Sequence, residues 1–320
     1  MQNLRRRIIL SLLFALVVFV ALAFYADAPR LLSAFEQFDW HFFLPALAIT
    51  LLNYLLRFAR WHYYLRVLAI REITPRDSFL IFLSGFSLTM TPGKLGELLK
   101  SLLLKSKCGT PLSYSAPIIA IERLTDALGM VILAATGLTF FPQFGVGALI
   151  AIVVATSAFV LLAQQRALAE RVFALIERVR VLARFAGVAR NLYASAFQLL
   201  QFKPLVIAIA LAVAAWFAEC VAFLFVLMGI GRAPSPVLLL QATFIYAAAS
   251  LFGAAVMTPG GLGATEGGMA LLLEQIVAVA RESAVAATLI VRLCTLWFAV
   301  LLGVIALLLI GAPQSEIERA

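Results

Sequence analysis

Charged side chains that could hold a phosphate or carry a proton recur inside apolar segments of this chain. Arg123 and Arg292 each begin an Arg-Leu pair within a long apolar run. An arginine offers a planar fork of hydrogen-bond donors that matches a phosphate group. A charge inside a membrane helix costs on the order of a few kcal/mol, so it usually faces a cavity or another charge. Both arginines are therefore candidate binding residues.

Acidic side chains add a second kind of chemistry. Glu122 and Asp126 are four residues apart, so one face of a helix presents both, and such a pair could act as general acid and base. No nucleophile or metal-ligand cluster accompanies them in the sequence, which weighs against an enzyme. Proton coupling is the other use of such carboxylates. The candidates for it are Glu97, Glu122, Asp126, Glu219 and Glu266.

Two nearly identical stretches interrupt the helical pattern. MTPGKLGE occupies residues 90–97, and MTPGGLGATE occupies residues 257–266. Proline lacks an amide hydrogen and glycine adopts dihedrals closed to other residues, so each stretch predicts a broken helix. A helix that began near Gly93 would point its amide hydrogens at an anion, and Lys94 would add a full charge. The alternative is a packing kink with Lys94 extended towards the membrane surface.

A polar stripe lies in the apolar segment before the first stretch. Asn53, Arg57, Arg60 and Tyr64 are spaced so that they share one helical face. In the alignment of the two halves, Arg60 stands where the second half has Glu219. The alternative to a binding role is a set of buried ion pairs that fix helix packing, with Glu122 and Arg57 as one expected pair.

The elements that must position these groups are membrane helices. Hydrophobic residues make up 64% of the chain and charged residues 13%, and the mean hydropathy is +1.04. Soluble chains are about half apolar and a quarter charged. Long uncharged windows, such as residues 8–24, 144–163 and 293–311, can each span a bilayer. The sequence therefore predicts an all-α polytopic membrane protein. Its net charge of +9 comes from basic residues in short loops, which indicate the orientation in the membrane rather than nucleic-acid binding.

The pattern also predicts how the chain is divided. Helices are expected over about 8–25, 42–69, 77–91, 94–107, 113–141, 144–163, 166–200, 204–230, 236–257, 262–279 and 283–311. These give an N-terminal membrane half over 1–163, an amphipathic cytoplasmic helix over 164–202, a C-terminal membrane half over 203–312 and a short cytoplasmic tail over 313–320. The helices at 77–91 and 94–107 are short for full spans, which favours a re-entrant hairpin. The second pair is longer, so it could be re-entrant or spanning.

The two halves read as copies of one unit. Six of seven positions match in Met-Thr-Pro-Gly-x-Leu-Gly, and the Arg-Leu pair follows 31 residues after Pro92 and 33 residues after Pro259. The Lys and Arg distribution places both termini in the cytoplasm and the loops at 26–41, 142–145 and 280–282 outside. Repeat 1, at about 42–141, and repeat 2, in the C-terminal half, then cross in opposite directions. Inverted repeats with broken helices are typical of secondary transporters.

The paired motifs resemble the membrane domain of bacterial lysylphosphatidylglycerol synthases. The resemblance rests on TPGKLGELLKSLLL, IERLTD and TPGGLGATEGGMALLL and covers residues 1–312. It implies translocation of a lipid, or of a lipid-linked polar group, between leaflets. It also implicates, by motif match, Pro92, Gly93, Lys94, Gly96, Glu97, Glu122, Arg123, Asp126, Pro259, Gly260, Gly261, Gly263, Glu266 and Arg292. The synthases carry a soluble aminoacyl-transfer domain after their spans. This sequence continues only nine residues past its last predicted span, so we expect no aminoacyl-lipid synthesis by this chain alone.

The sequence therefore predicts a lipid flippase or scramblase that is not an enzyme and uses no cofactor or metal. Its expected substrate site comprises the motif positions together with Arg57, Arg60 and Glu219. No GxxxxGK[ST] motif is present, so energy would come from an ion gradient or downhill flow. The alternatives are a non-transporting membrane partner of a lipid or cell-envelope pathway and an integral-membrane lipid-modifying enzyme. Expected partners are membrane lipids with anionic or zwitterionic head groups, lipid-biosynthesis enzymes and a second copy of the chain, in a bacterial inner membrane.

Overall fold

The protein is built from helices joined by short connections. The structure is a computed structural model that describes residues 16–90, 97–138, 146–167, 169–171, 173 and 186–310, and these residues contain no strand. The helices are α1 (Leu16–Tyr25), α2 (Ala28–Glu36), α3 (Phe43–Val67), α4 (Pro75–Ser84), α5 (Leu99–Cys108), α6 (Leu112–Leu138), α7 (Val146–Ala163), α8 (Ala186–Leu199), α9 (Phe202–Gly229), α10 (Pro236–Val256), α11 (Ala264–Leu272), α12 (Arg281–Arg292) and α13 (Phe298–Ile310). Short 3-10 turns lie at Trp40–Phe42, Gly85–Leu88 and Pro259–Gly261, and π-helical turns lie at Leu273–Val277 and Leu293–Trp297.

Four of the described helical segments are long and apolar enough to cross a membrane. They are Trp40–Val67, Phe202–Gly229, Pro236–Val256 and Arg281–Ile310. The bent pair α1 and α2 would make a fifth span if it counts as one. α6 has 27 residues, about 40 Å at 1.5 Å per residue, and carries three charged side chains near its middle. The predicted all-α membrane architecture is confirmed.

The chain turns sharply where the sequence analysis expects only a loop, over 26–41. The axes of α1 and α2 differ by 94°, and Asp27 between them has a φ of 65°. Pro29 lies in the first turn of α2, where its missing amide hydrogen costs nothing. The Asp-Ala-Pro sequence thus marks a helix end and a new helix start rather than an irregular segment.

Each half contributes a long first helix, a pair of helices that we call its hairpin (α4 and α5, or α10 and α11) and a long last helix. In the second half the 3-10 turn at Pro259–Gly261 interrupts the hairpin. The first helices, α3 and α9, pack along each other. In the first half, the leading hairpin helix α4 packs against α13 of the second half. In the second half, the leading hairpin helix α10 packs against α6 of the first. Each hairpin therefore lies against the last helix of the opposite half.

Glycines make these contacts between halves unusually close. A Cβ on Gly137 of α6 would lie 2.4 Å from Phe244 of α10. A Cβ on Gly303 of α13 would lie 2.3 Å from the backbone nitrogen of Ser87. Because real Cβ atoms do not approach other atoms so closely, only glycine fits at either position without a shift of the neighbouring helix.

Buried apolar side chains form two large clusters, and the charged part of α6 lies between them. Ile118 and Ile121 of α6 belong to the first cluster, with parts of α3, α4, α5 and α13. Met130 and Leu133 belong to the second, with parts of α9, α10 and α12. The segment from 122 to 126 therefore lies at the boundary of the two clusters. The middle of the amphipathic helix predicted over 166–200 lies outside the described residues, and α8 forms its C-terminal part.

Candidate functional site

A cavity of about 300 Å³ lies between the two halves of the protein. Residues of α3, α6, α9 and α10 line it, as do residues of both broken hairpins and of the segment after α12. Its charged lining residues are Arg57, Glu97, Arg123, Asp126, Glu219 and Arg292. The lining also includes aromatic side chains of both halves. The cavity therefore combines fixed charges with broad apolar surfaces.

Asp126 is the most heavily contacted acidic residue in this cavity. Its Oδ1 atom accepts from Arg60 Nη2 at 2.6 Å and from Trp216 Nε1 at 3.1 Å. Its Oδ2 atom lies 2.9 Å from Arg123 Nη2. Arg60 also donates to Thr125 Oγ1 at 3.1 Å and is 1% exposed. Because Trp216 belongs to the second half and the other groups to the first, this network joins the halves.

Each half pairs the arginine of its last long helix with the glutamate that ends its broken stretch. In the first half, Arg123 Nη2 lies 3.3 Å from Glu97 Oε2. In the second half, Arg292 Nε lies 2.5 Å from Glu266 Oε1. Glu97 and Glu266 are 3% and 0% exposed, so both carboxylates are removed from water. We call these two contacts the paired Arg–Glu bridges.

The second broken stretch shows why glycine is needed there. Gly260, Gly261 and Gly263 have φ values of 64°, 72° and 83°, which side-chain-bearing residues rarely adopt. The carbonyl of Gly260 accepts from Arg292 Nη2 at 2.8 Å, and the amide of Gly263 donates to Glu266 Oε2 at 2.7 Å. Charged side chains of the protein thus satisfy these two backbone groups, which lipid could not do.

The two hairpins meet at this point. A Cβ on Gly260 would lie 3.7 Å from the Cα atom of Met90, the first residue of the first broken stretch. Pro259 begins the 3-10 turn of the second stretch. The corresponding predicted residues of the first stretch, Pro92, Gly93, Lys94 and Gly96, lie outside the described residues.

Glu122 pairs with a residue that the sequence analysis did not select. Its carboxylate bonds to the ammonium group of Lys100, which also lies 4.8 Å from the ring centroid of Trp61. Both charged residues are at most 4% exposed. The predicted pair of Glu122 with Arg57 is therefore wrong. Lys100 shares its helix with Lys105 and Lys107, and sequence alone does not distinguish it from such surface lysines.

Two cavity charges remain without a close ionic partner among the described residues. Arg57 lies 3.9 Å from Asp126, and its guanidinium lies 5.2 Å from the Phe86 ring centroid and 5.8 Å from that of Trp216. Glu219 accepts a hydrogen bond from the Tyr246 hydroxyl at 2.6 Å, and no cation of the described residues lies at ion-pair distance from it. Within the described part of the chain, the cavity therefore presents one loosely held guanidinium and one carboxylate without a counter-cation.

The sequence profile described as the lysylphosphatidylglycerol synthase TM region matches residues 8–303. The chain belongs to this family. It is also similar to a curated UPF0104 membrane protein of Methanothermobacter thermautotrophicus, with 24% identity over 339 aligned positions that cover 98% of this chain and 95% of that protein. No solved structure matches the chain.

In this member of the lysylphosphatidylglycerol synthase TM family, the predicted site residues of the two halves come together. The structure places Arg57, Arg123 and Asp126 on the same cavity as Glu219 and Arg292. Arg60, Glu122 and Glu266 stand behind that lining as partners of other charges.

Sequence reasoning missed the aromatic part of the site. Trp216 donates to Asp126, Tyr246 donates to Glu219, and Tyr54 donates to the carbonyl of Thr295 at 2.5 Å. The helical spacing offered one signal, since Trp216 and Glu219 are three residues apart on α9 and so share a face.

Within the described residues, no group of three or more His, Cys, Asp or Glu side chains could hold a metal ion. The cavity instead offers charged side chains next to aromatic rings, so it is suited to bind a charged group that also has apolar surface.

Proposed function

We propose that this protein moves a lipid, or a lipid-linked polar group, between the two leaflets of its membrane. The observation that carries this proposal is the cavity between two broken hairpins, with one of the paired Arg–Glu bridges on each side. A polar head group could occupy such a cavity while the acyl chains remain in the bilayer. Discontinuous helices around a shared polar site are typical of secondary transporters.

The contacts between the halves support an inverted-repeat mechanism. α4 packs against α13 as α10 packs against α6, and α3 packs against its counterpart α9. This exchange of partners is what a two-fold relation between the halves would produce. If the halves cross the membrane in opposite directions, rocking one against the other would expose the cavity to each side in turn.

The exposed rim of the cavity supports access from the lipid phase. Met257 lines the cavity and is 72% exposed, and Phe252 nearby on α10 is 55% exposed. Such side chains face lipid in a membrane protein. A lipid could therefore bring its head group to the cavity at this side without removing its acyl chains from the bilayer.

The charges that face the cavity favour an anionic or zwitterionic head group. Arg57 presents a guanidinium with no hydrogen bond to any described residue, and a phosphate oxygen could accept from it. The rings of Phe86 and Trp216 on either side would orient that guanidinium.

Catalysis is less well supported than transport. The acid–base candidates Glu122 and Asp126 are each bound to basic side chains, Lys100 in one case and arginines in the other. A carboxylate held in this way is a poor proton donor or acceptor for a reaction. Nothing in the site favours the role of a non-transporting membrane partner. We therefore infer transport without a cofactor rather than catalysis. The Lys and Arg distribution supports the further proposal that both termini lie in the cytoplasm, at a bacterial inner membrane.

Reconstitution tests this proposal. The purified full chain would be inserted into phosphatidylcholine vesicles that contain a trace of fluorescently labelled phosphatidylglycerol, and dithionite would quench the label in the outer leaflet. Transport predicts that quenching proceeds beyond the outer-leaflet half, faster than in protein-free vesicles. Parallel vesicles with labelled phosphatidylethanolamine and phosphatidylcholine define the head-group preference. Protein-free rates for all three lipids would contradict the proposal.

A further inference from the structure

Glu219 differs from the other carboxylates around the cavity. Among the described residues, the charge network around the cavity comprises five basic and five acidic side chains. The basic residues are Arg57, Arg60, Lys100, Arg123 and Arg292, and the acidic residues are Glu97, Glu122, Asp126, Glu219 and Glu266. Four of these carboxylates lie within ion-pair distance of a lysine or arginine. Among the described residues, Glu219 is the one that lacks such a partner.

Glu219 is surrounded by ionisable groups of several helices. It is 5% exposed, lines the cavity from α9, and accepts a hydrogen bond from Tyr246 of α10. The ionisable groups that face it are Tyr54 and Arg57 of α3, Asp126 of α6, Cys220 of α9, Tyr246 of α10 and Arg292 of α12. Arg292 is held by Glu266 and the Gly260 carbonyl, and Arg57 stands nearer to Asp126.

The halves are asymmetric at this position, and the asymmetry creates the unpaired carboxylate. Arg60 of α3 pairs with Asp126, three residues after Arg123. At the equivalent places the second half has Glu219 and Thr295, the latter three residues after Arg292. The first half thus has the ion pair Arg60–Asp126 at these two positions. The second half has a carboxylate, Glu219, and a hydroxyl, Thr295, at the same positions.

We propose that Glu219 is the proton-binding site that couples entry of an anionic head group to a proton. With Glu219 ionised, the described charge network has equal numbers of positive and negative groups. A proton that binds the carboxylate gives a neutral carboxylic acid and leaves one positive charge in excess, which the head-group anion can balance. Binding of the proton therefore raises the affinity for the anion, and by linkage binding of the anion raises the affinity for the proton by the same factor. On the opposite side of the membrane the proton returns to water as the anion leaves.

A proton fits this site better than a metal cation. Hard cations such as Mg²⁺ and Ca²⁺ take six or more oxygen ligands. Glu219 already uses one carboxylate oxygen to accept from Tyr246, and no cluster of acidic or other metal-ligating groups surrounds it in the described part of the chain. A single carboxylate that opens onto a cavity needs no further ligand to bind a proton.

The proton site can be tested without any transport. Infrared difference spectra of the full chain in phosphatidylcholine vesicles would be recorded across a pH titration, for wild type, Glu219→Gln and Glu219→Asp. The wild type should show a protonated-carboxyl band that is missing in Glu219→Gln and shifted in Glu219→Asp. Addition of phosphatidylglycerol at fixed pH should increase the band. An identical band in wild type and Glu219→Gln, or no response to the anionic lipid, would overturn the proposal.

Coupling to transport rests on the proposed function and needs a second assay. A pH gradient imposed on vesicles with labelled phosphatidylglycerol should change the wild-type rate of leaflet exchange several-fold. Glu219→Gln should exchange at one rate in either direction of the gradient, Glu219→Asp should regain the response, and Glu274→Gln, outside the cavity, should respond like wild type. An equal response in wild type and Glu219→Gln would overturn the coupling. If no lipid moves in wild type while the infrared linkage holds, the proposed function fails and the proton site stands.

Discussion

Arg292 contacts Glu266 at 2.5 Å across the second half of the protein, and the same residue types meet at 3.3 Å in the first half, as Arg123 and Glu97. In both halves the arginine comes from the last long helix and the glutamate ends the broken stretch. Each bridge therefore fixes a hairpin to its own half.

The bridge in the second half should contribute strongly to stability. Glu266→Gln leaves the Arg292 guanidinium, which is 9% exposed, without its counter-charge. Removal of one partner from a buried ion pair costs about 3–5 kcal/mol. We expect a clear fall in the unfolding temperature in detergent, measured by intrinsic tryptophan fluorescence.

A double-mutant cycle separates the ion pair from other effects of this change. Glu266→Gln combined with Arg292→Met removes both charges, so the double variant should recover part of the lost stability. Glu274→Gln, whose carboxylate pairs with Arg281 at the surface at 3.4 Å, is the matched control and should change stability by at most about 1 kcal/mol. If the losses of stability of the two single variants add up to the loss of the double variant, the bridge carries no coupling energy.

Arg57 should matter for binding and little for folding. A charge-assisted hydrogen bond to a head group is worth about 1.5–3 kcal/mol, which corresponds to roughly a 10- to 100-fold change. We expect Arg57→Met to slow exchange of an anionic lipid by that factor while the unfolding temperature stays near that of wild type.

Arg60 is the matched control for this prediction, because it lies one turn away and contacts Asp126 at 2.6 Å. Arg60→Met should destabilise the protein by about 3–5 kcal/mol, since it leaves Asp126 with less compensation. Measurement of exchange and unfolding on both variants distinguishes the roles. Equal loss of stability in both would show that Arg57 is structural.

Close packing of α13 on the first hairpin should depend on Gly303. Gly303→Ala places a methyl group 2.3 Å from the Ser87 nitrogen and 2.8 Å from the Phe86 carbonyl carbon, both backbone atoms that must move. Overpacking of this kind costs typically about 1–3 kcal/mol. Gly147→Ala in α7 meets nothing within 4 Å and should leave stability unchanged or slightly raised. Thermal unfolding of both variants is the test, and equal behaviour would contradict the packing.

The meeting point of the hairpins offers a reversible lock. Cysteines at 90 and 260 stand within disulfide reach, and the native Cys108, Cys220 and Cys294 would first be replaced by serine or alanine. Oxidation should stop lipid exchange and reduction should restore it, since movement of one hairpin past the other is required. The reduced variant is the control for backbone strain, because a side chain at residue 260 must adopt the positive φ of Gly260 in both the reduced and the oxidised protein. Exchange that continues in the fully cross-linked protein would show that the hairpins need not separate.

The membrane-helix architecture and much of the site could be predicted from the sequence, because composition and helical spacing determine both. Asn53, Arg60 and Tyr64 share one buried face of α3, as their spacing indicates. The broken second stretch has its three glycines in left-handed conformations, as its Pro-Gly pattern suggests. These features depend on local sequence alone.

The partners of the charges could not be predicted, because they depend on packing between distant helices. The sequence allows Glu122 to pair with a cation on any neighbouring helix, and the pairing with Lys100 follows from how α5 packs on α6. Lys100 fits beside Gly85, where a Cβ would lie 2.8 Å from its side chain. The approach of Trp216 to Asp126 likewise requires α9 and α6 to cross at one particular place.

Filling the cavity tests the central claim most directly. Ser250 lines the cavity from α10, and Ser250→Trp would occupy the space proposed for the head group. Val206→Trp adds the same side chain at a 47% exposed position of α9 and serves as the control. In the dithionite assay, wild type and Val206→Trp should exchange labelled phosphatidylglycerol faster than protein-free vesicles, and folded Ser250→Trp should not. Exchange by Ser250→Trp at the wild-type rate would contradict passage of the head group through this cavity.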